Sequence, residues 1–156
     1  MIREIEDFQK DQSEYLRMRR TLWPHANDEE HMKNMIHIYK EEPFYKHELT
    51  WKVLVIERTN GKLGGFIELS LYPELPFVES SPVGYIEGWY VDEDLRSQGL
   101  GSGLVYLGEK WAKQKKCRHM ASDVESDNVL SQQAHRSLGY AQAYKDASGL
   151  YCKKSI

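Results

Sequence analysis

The run GYIEGWYVDEDLRSQGLGSGLVYLGE, from Gly84 to Glu109, carries residues whose types and spacing could do chemistry. It reads as a strand, an acidic turn, an Arg/Gly-rich loop and a helix. Gly99, Gly101 and Gly103 fall where that helix must start, so backbone N–H groups there can approach a ligand without interference from Cβ atoms. A helix N-terminus offers unsatisfied donors and the positive end of the dipole, which together favour a phosphate or pyrophosphate. Arg96 adds a permanent cation beside them. No Lys follows any of these glycines, so the run is not a P-loop. GxGxG in mid-chain is also a poor match to the GxGxxG of a dinucleotide fold. A Gly-rich turn that only caps the helix is the plainer alternative. Two carboxylates supply a second kind of chemistry. Glu87 lies within the strand before the loop, and alternation puts it between Tyr85 and Trp89 on one face. An acid in an otherwise apolar strand is costly without a partner, which a cationic ligand or a buried ion pair would provide. Asp123 falls at the end of the next strand, where ligands of open α/β sheets tend to lie; a capping or turn role is its alternative.

An ordered frame must hold these groups. Met1–Ile5 suits a short strand. Asp7–Trp23 places Phe8, Tyr15, Met18 and Leu22 near helical spacing, and Asp28–Glu41 does the same with Met32, Met35, Ile36 and Tyr39. Val53–Glu57 and Leu63–Tyr72 flank Thr59-Asn60-Gly61, a hairpin turn signal. Pro73–Pro82 is a Pro-rich loop, followed by a strand over Pro82–Val91, a helix over Gly99–Lys115 and a strand over Arg118–Asp123. Ser126 or Asp127 can cap a helix running to Leu138, and Tyr140–Lys145 and Leu150–Lys154 close as an antiparallel pair. Hairpins first and a strand–helix–strand crossover in the middle predict an α/β fold, a mixed sheet with helices on both faces.

Arg96-Ser97-Gln98-Gly99-Leu100-Gly101 resembles the (Q/R)xxGx(G/A) loop with which GNAT N-acetyltransferases hold the pyrophosphate of an acyl-CoA. Ala121-Ser122-Asp123, Asp127-Asn128 and His135-Arg136-Ser137-Leu138-Gly139-Tyr140 then look like the family's second block. More narrowly, Ser81–Gly88, Trp111–Gln114, Met120–Asp123 and Leu22-Trp23-Pro24 are similar to the bacterial aminoglycoside 6'-N-acetyltransferases. The resemblance implies the GNAT fold, with a mixed, mostly antiparallel sheet, in one domain over 1–156. It implies acetyl-CoA as donor substrate, no metal, and a small polycationic amine, the 6'-amine of an aminoglycoside, as acceptor. The donor falls on Trp89, Tyr90, Val91, Arg96, Gln98, Gly99, Leu100, Gly101, Ser102 and Gly103. Asn128 is assigned to the pantetheine arm, with a helix-start role as its alternative. Glu87 and Asp123 are assigned to the acceptor's amines, either of them able to serve as base. Trp23 resembles the aromatic that packs on a sugar ring, or is simply core. Many relatives place a tyrosine seven positions after Asn128 as acid for the leaving thiolate. This chain has His135 there, which can donate a proton near neutrality, or the thiolate leaves without help. Dimers are common in the subfamily, and Leu150–Cys152 could pair across the interface of a homodimer. Pro73–Ser80 departs from relatives, which carry a Tyr-Val-x-Gly turn there that shapes the acceptor cleft; its Glu74 and Glu79 would still favour a polycation. The competing functions are acetylation of a polyamine or protein amine, and a silent acyl-CoA-binding module, against which the Glu87/Asp123 pair argues.

The whole chain narrows the field further. Its 156 residues suit one domain with an ordinary core. A net charge of −3 with 29% charged residues argues against a general nucleic-acid binder. No apolar run approaches the roughly 18–20 residues of a membrane span, and MIREIEDF does not read as a signal peptide, so a cytoplasmic location is expected. Cys117 and Cys152 lack metal-ligand spacing and read as reduced thiols, and the six histidines are scattered.

Overall fold

A computed structural model describes residues 1–44 and 47–156. Seven strands form one sheet in the order β1-β2-β3-β4-β5-β7-β6. β1 is Ile2–Glu4, β2 Trp51–Glu57, β3 Leu63–Tyr72, β4 Val83–Val91, β5 His119–Val124, β6 Ala141–Asp146 and β7 Gly149–Ser155. Neighbours are antiparallel except β4 and β5. That parallel pair needs a crossover, which the helix α3 (Leu100–Gln114) supplies. The helices α1 (Phe8–Leu22) and α2 (Asp28–Tyr39) cover one face. α3 covers the other, together with α4 (Val129–Ser137), whose His135 meets Trp89.

Local chemistry sets the element ends. Asp7 caps α1 by accepting from the Lys10 N–H at 3.3 Å, and Asn27 caps α2 by accepting from the Glu30 N–H at 2.8 Å. Tyr15, Met18, Met35 and Ile38 pack on Val53, Val55 and Phe66, whereas Leu104, Val105 and Ala112 pack on Ile67, Leu69, Ile86 and Met120. β3 is buried on both faces, hence its nearly continuous apolar reading, LGGFIELSLY. Two expectations are corrected. Asn128, not Ser126 or Asp127, caps α4, its Oδ1 accepting from the Ser131 N–H at 3.1 Å. β7 lies between β5 and β6, so Leu150–Cys152 has no free edge to pair across an interface; the free edge at that end of the sheet is β6.

Two irregularities in the sheet make the site. The β4–β5 ladder covers only Gly84–Ile86 against Met120–Ser122. Beyond it a slot of about 270 Å³ opens between the residues after Ile86 and those after Ser122. The β3–β4 register also slips, since Leu69 pairs with Ile86 but Glu68 pairs with Gly88. Glu87 is therefore the extra residue of a β-bulge, and alternation breaks there. Tyr85 and Glu87 stay on the side of Tyr72, whereas Trp89 turns toward α3 and donates its Nε1–H to the Gly101 carbonyl at 3.1 Å. The expectation that Tyr85, Glu87 and Trp89 share one face fails for this reason.

Candidate active site

After β4 the chain makes a single 3-10 turn, Glu93–Leu95, before α3. Asp92 stakes this turn to the body of the protein. Its buried carboxylate accepts from Arg17 at 2.9 and 3.0 Å, from Arg58 at 2.8 Å and from the Tyr90 hydroxyl at 2.9 Å. Gly99 then caps α3 at φ 82°, a left-handed conformation that costs other residues roughly 1–2 kcal/mol. The first intrahelical bond runs from the Gly103 N–H to the Gly99 carbonyl at 3.0 Å. The N–H groups of Leu100, Gly101 and Ser102 precede it, in the turn whose donors have no intrahelical acceptor. Arg96 is exposed beside them, donating Nε–H to the Val91 carbonyl at 2.8 Å with its guanidinium 5.9 Å from the Tyr90 ring centre. Gln98 is also exposed, and donates to the Asp94 carbonyl at 3.3 Å. The structure thus gathers Tyr90, Val91, Arg96 and Gln98–Gly103 at one helix N-terminus, an arrangement able to bind phosphate groups.

On the opposite side of the sheet a cleft of about 540 Å³ lies under α1 and α2. Glu87 and Trp23 line both this cleft and the β4–β5 slot, so they stand at the junction. Glu87 Oε1 accepts from the Ser70 hydroxyl at 3.0 Å and the Tyr72 hydroxyl at 2.9 Å. Burial pushes its carboxyl up to about 7; the two hydroxyls oppose this, and the charges of Asp123 and Glu48 add to it. Among the described residues no cationic side chain pairs with Glu87. Asp123 is exposed at the end of β5 and accepts from the Tyr85 hydroxyl, which burial and that carboxylate keep protonated. It caps no helix, since Asn128 does that for α4. Trp23 is both wall and core. Its ring lies 6.1 Å from Phe66 and against the backbone of Gly88, where a Cβ would come within 2.5 Å of Cη2.

The far end of the slot is formed by Trp89, Asn128 and His135. His135 is buried, its Nδ1–H donating to the Ser131 carbonyl at 2.8 Å and its Nε2 lying 2.9 Å from Ser122 Oγ. That tautomer is assigned from the carbonyl partner. Burial lowers the imidazole pKa, so the ring is neutral near pH 7.

Sequence reasoning missed a buried network under the cleft. Glu68 accepts from Arg19 and from the Tyr15 hydroxyl, and Arg19 donates Nε–H to His31 Nδ1 at 3.2 Å. His31 Nε2 meets the Trp23 carbonyl at 3.1 Å, and the Arg19 guanidinium stacks 4.6 Å from the Trp23 ring centre. The signal was present, because Glu68 is an acid inside an apolar strand, as Glu87 is. Glu48 also lines the cleft, with no pattern around it to mark it. The Pro73–Ser80 loop holds a further correction. Glu79 pairs with Lys153 at 2.5 Å and His119 at 2.7 Å, so it is committed there and, like Glu74, does not line the cleft. Ser80, His119 and Glu79 form a hydrogen-bonded row, with Ser80 Oγ 2.6 Å from His119 Nδ1, but none of them lines the cleft or the slot.

An aminoglycoside N(6')-acetyltransferase type 1 of Klebsiella aerogenes is 33% identical over 132 residues, covering 85% of this chain and 84% of the relative. The crystal structure of the aminoglycoside 6'-N-acetyltransferase AAC(6')-Ih from Acinetobacter baumannii superposes with a TM-score of 0.80 at 29% identity, over 94% of each chain. AAC(6')-Iy in complex with the bisubstrate analogue CoA-S-monomethyl-acetylneamine gives 0.80 at 26% identity, over 94% of this chain and 93% of the other. The family model for the acetyltransferase (GNAT) family matches residues 8–140, and the chain belongs to that family.

Proposed function

We propose that this protein transfers the acetyl group of acetyl-CoA to the 6'-amine of aminoglycosides by direct attack on the thioester. The observation that carries the reading is Glu87, a largely buried carboxylate without a cationic partner among the described residues, at the point where an acceptor cleft meets the β4–β5 slot, whose Trp89 bonds to the Gly101 carbonyl at the start of α3. The pyrophosphate lies over Gln98–Gly103, held by the N–H groups of Leu100, Gly101 and Ser102 and by Arg96, and the pantetheine arm runs along Gly88–Val91 in place of the missing strand pairing, with Asn128 and Trp89 beside it. An alkyl ammonium titrates near 10, so one proton must leave before attack. Glu87 or Asp123 accepts it, through a water. The neutral nitrogen then forms the new C–N bond, the C–S bond breaks, and the second amine proton ends on the sulfur of CoA. His135 enters the scheme through Ser122, since its own N–H is engaged by the Ser131 carbonyl. Trp23 supplies the face on which the amino sugar packs. A cytoplasmic homodimer belongs to the same reading. Thiol release from acetyl-CoA, measured with a 6'-amino aminoglycoside, its 6'-hydroxyl analogue, a polyamine and a peptide amine, tests it. Turnover confined to the 6'-amino drug is expected; turnover of only the polyamine or peptide would replace the acceptor, and turnover of none would point to a silent acyl-CoA binder.

A further inference from the structure

Besides Glu87, the cleft is lined by Glu30, Glu48 and Glu68, none of which the transfer uses. Glu48 is 5% exposed and lines the same cleft as Glu87. Both of its hydrogen bonds fall on Oε2, from the Phe44 N–H at 3.0 Å and the Trp51 Nε1–H at 2.8 Å. Among the described residues Oε1 has no hydrogen-bond partner. Arg19, the arginine of this cleft, is committed to Glu68 and does not neutralise Glu48. Glu48 lines the cleft and its unpartnered Oε1 is not sealed from it, so an ammonium group held there can reach that oxygen. Phe44 and Trp51, edge to face at 5.1 Å, line the same cleft and fix the carboxylate through Oε2.

We propose that Glu48 is a second ammonium subsite: while Glu87 receives the amine to be acetylated, Glu48 holds another amine of the same molecule. The inference rests on the acceptor reading above and adds a selection rule, polyamines over monoamines, to it. Glu48 touches no reacting atom in this scheme, so its loss should act on acceptor affinity and not on the transfer step.

Calorimetric titration of wild type and Glu48→Gln with a neamine-type aminoglycoside and with 6-amino-6-deoxyglucose, a monoamine sugar, tests this. Gln keeps an oxygen for Phe44 and Trp51. The variant should bind the polyamine about tenfold or more weaker, the scale of a hydrogen bond to a charged group, with monoamine and acetyl-CoA affinity unchanged. Equal affinity of both proteins for the polyamine, or equal weakening for both sugars, overturns the proposal. A second readout needs no variant at position 48. The Trp51 indole N–H donates to Glu48, so its nuclear resonance in wild type should move with the polyamine and stay still with the monoamine; a resonance unmoved at saturation also overturns it. Neither readout involves acetyl transfer. Glu48-dependent polyamine binding without a 6'-acetylated product would sink the proposed function alone, and acetylation with Glu48-independent affinity would sink the subsite alone.

Discussion

Glu87→Gln should make the protein more stable and less active, and the gain in stability should grow with pH. Burial raises the Glu87 carboxyl from 4.5 to about 7. A raised acid favours the folded state below its unfolded pKa and loses that contribution as pH climbs through the folded value, because the native state binds more protons in between. The loss therefore begins near pH 4.5 and is complete above about 7. At about 1.4 kcal/mol per pH unit, Glu87 costs the unliganded fold about 3 kcal/mol at pH 8, where it is ionised, and about 1 kcal/mol at pH 5, where folding must protonate it. Gln retains the acceptor for Ser70 and Tyr72, both of which bond to one carboxylate oxygen, and never ionises. For a chain of this size 1 kcal/mol is about 2–4 °C in Tm, so Glu87→Gln should melt about 5 °C or more above wild type at pH 8 and within a few degrees of it at pH 5. The same charge should dominate recognition of the acceptor. An ion pair at about 4 Å in an effective dielectric near 20 gives about 4 kcal/mol before desolvation, so kcat/KM on the amine should fall by about one to three orders of magnitude, with acetyl-CoA affinity held. Scanning calorimetry at the two pH values and steady-state kinetics read both effects. A Tm difference that is the same at pH 5 and pH 8, or unchanged kcat/KM on every amine, would refute the reasoning.

Three further outcomes are expected. Gly101→Val should weaken acetyl-CoA binding by at least about tenfold in calorimetry while the fold persists, because a Cβ there meets Trp89 and Val91 at an ordinary 3.5 Å but stands among the helix donors. Gly88→Ala puts a Cβ 2.5 Å from Trp23, so it should cost about 1–3 kcal/mol, alter indole fluorescence and raise the acceptor KM. Burial pushes the Cys117 thiol up to about 11 and the Cys152 thiol up to about 12, so neither should react with a disulfide reagent at pH 8 until the protein unfolds, leaving a thiol-release assay free of background.

The sequence showed the frame of the site more clearly than its contacts. Periodic runs gave α1, α2 and α3 within a few residues, and Thr59-Asn60-Gly61 correctly joined β2 to β3, because these signals are local. The donor loop was legible for the same reason, since glycines, Arg96 and a helix start are consecutive. Glu87 was found by its mismatch with an apolar strand, but its bulge was not, because a bulge is a property of two paired strands and Glu68 and Gly88 are far apart in sequence. The Glu68–Arg19–His31 network and Glu48 were hidden because their partners come from elements that meet only in the folded chain. Glu79 was misread toward the cleft, since nothing local reveals that Lys153 and His119 hold it elsewhere.

Mass spectrometry with site mapping of the product formed by purified protein, acetyl-CoA and a matched pair of kanamycin-like drugs, one bearing a 6'-amine and one a 6'-hydroxyl, tests the central claim most directly. A neutral amine attacks a thioester far more readily than an unactivated alcohol, and among the described residues the Ser122–His135 pair of the slot is backed by the Ser131 carbonyl and not by a carboxylate, so no Ser-His-Asp row lines the site to activate one. The account predicts a single acetyl group on the 6'-nitrogen of the first drug and none on the second. An absence of acetylation on every 6'-amino drug, alongside turnover of a polyamine or peptide, would contradict it.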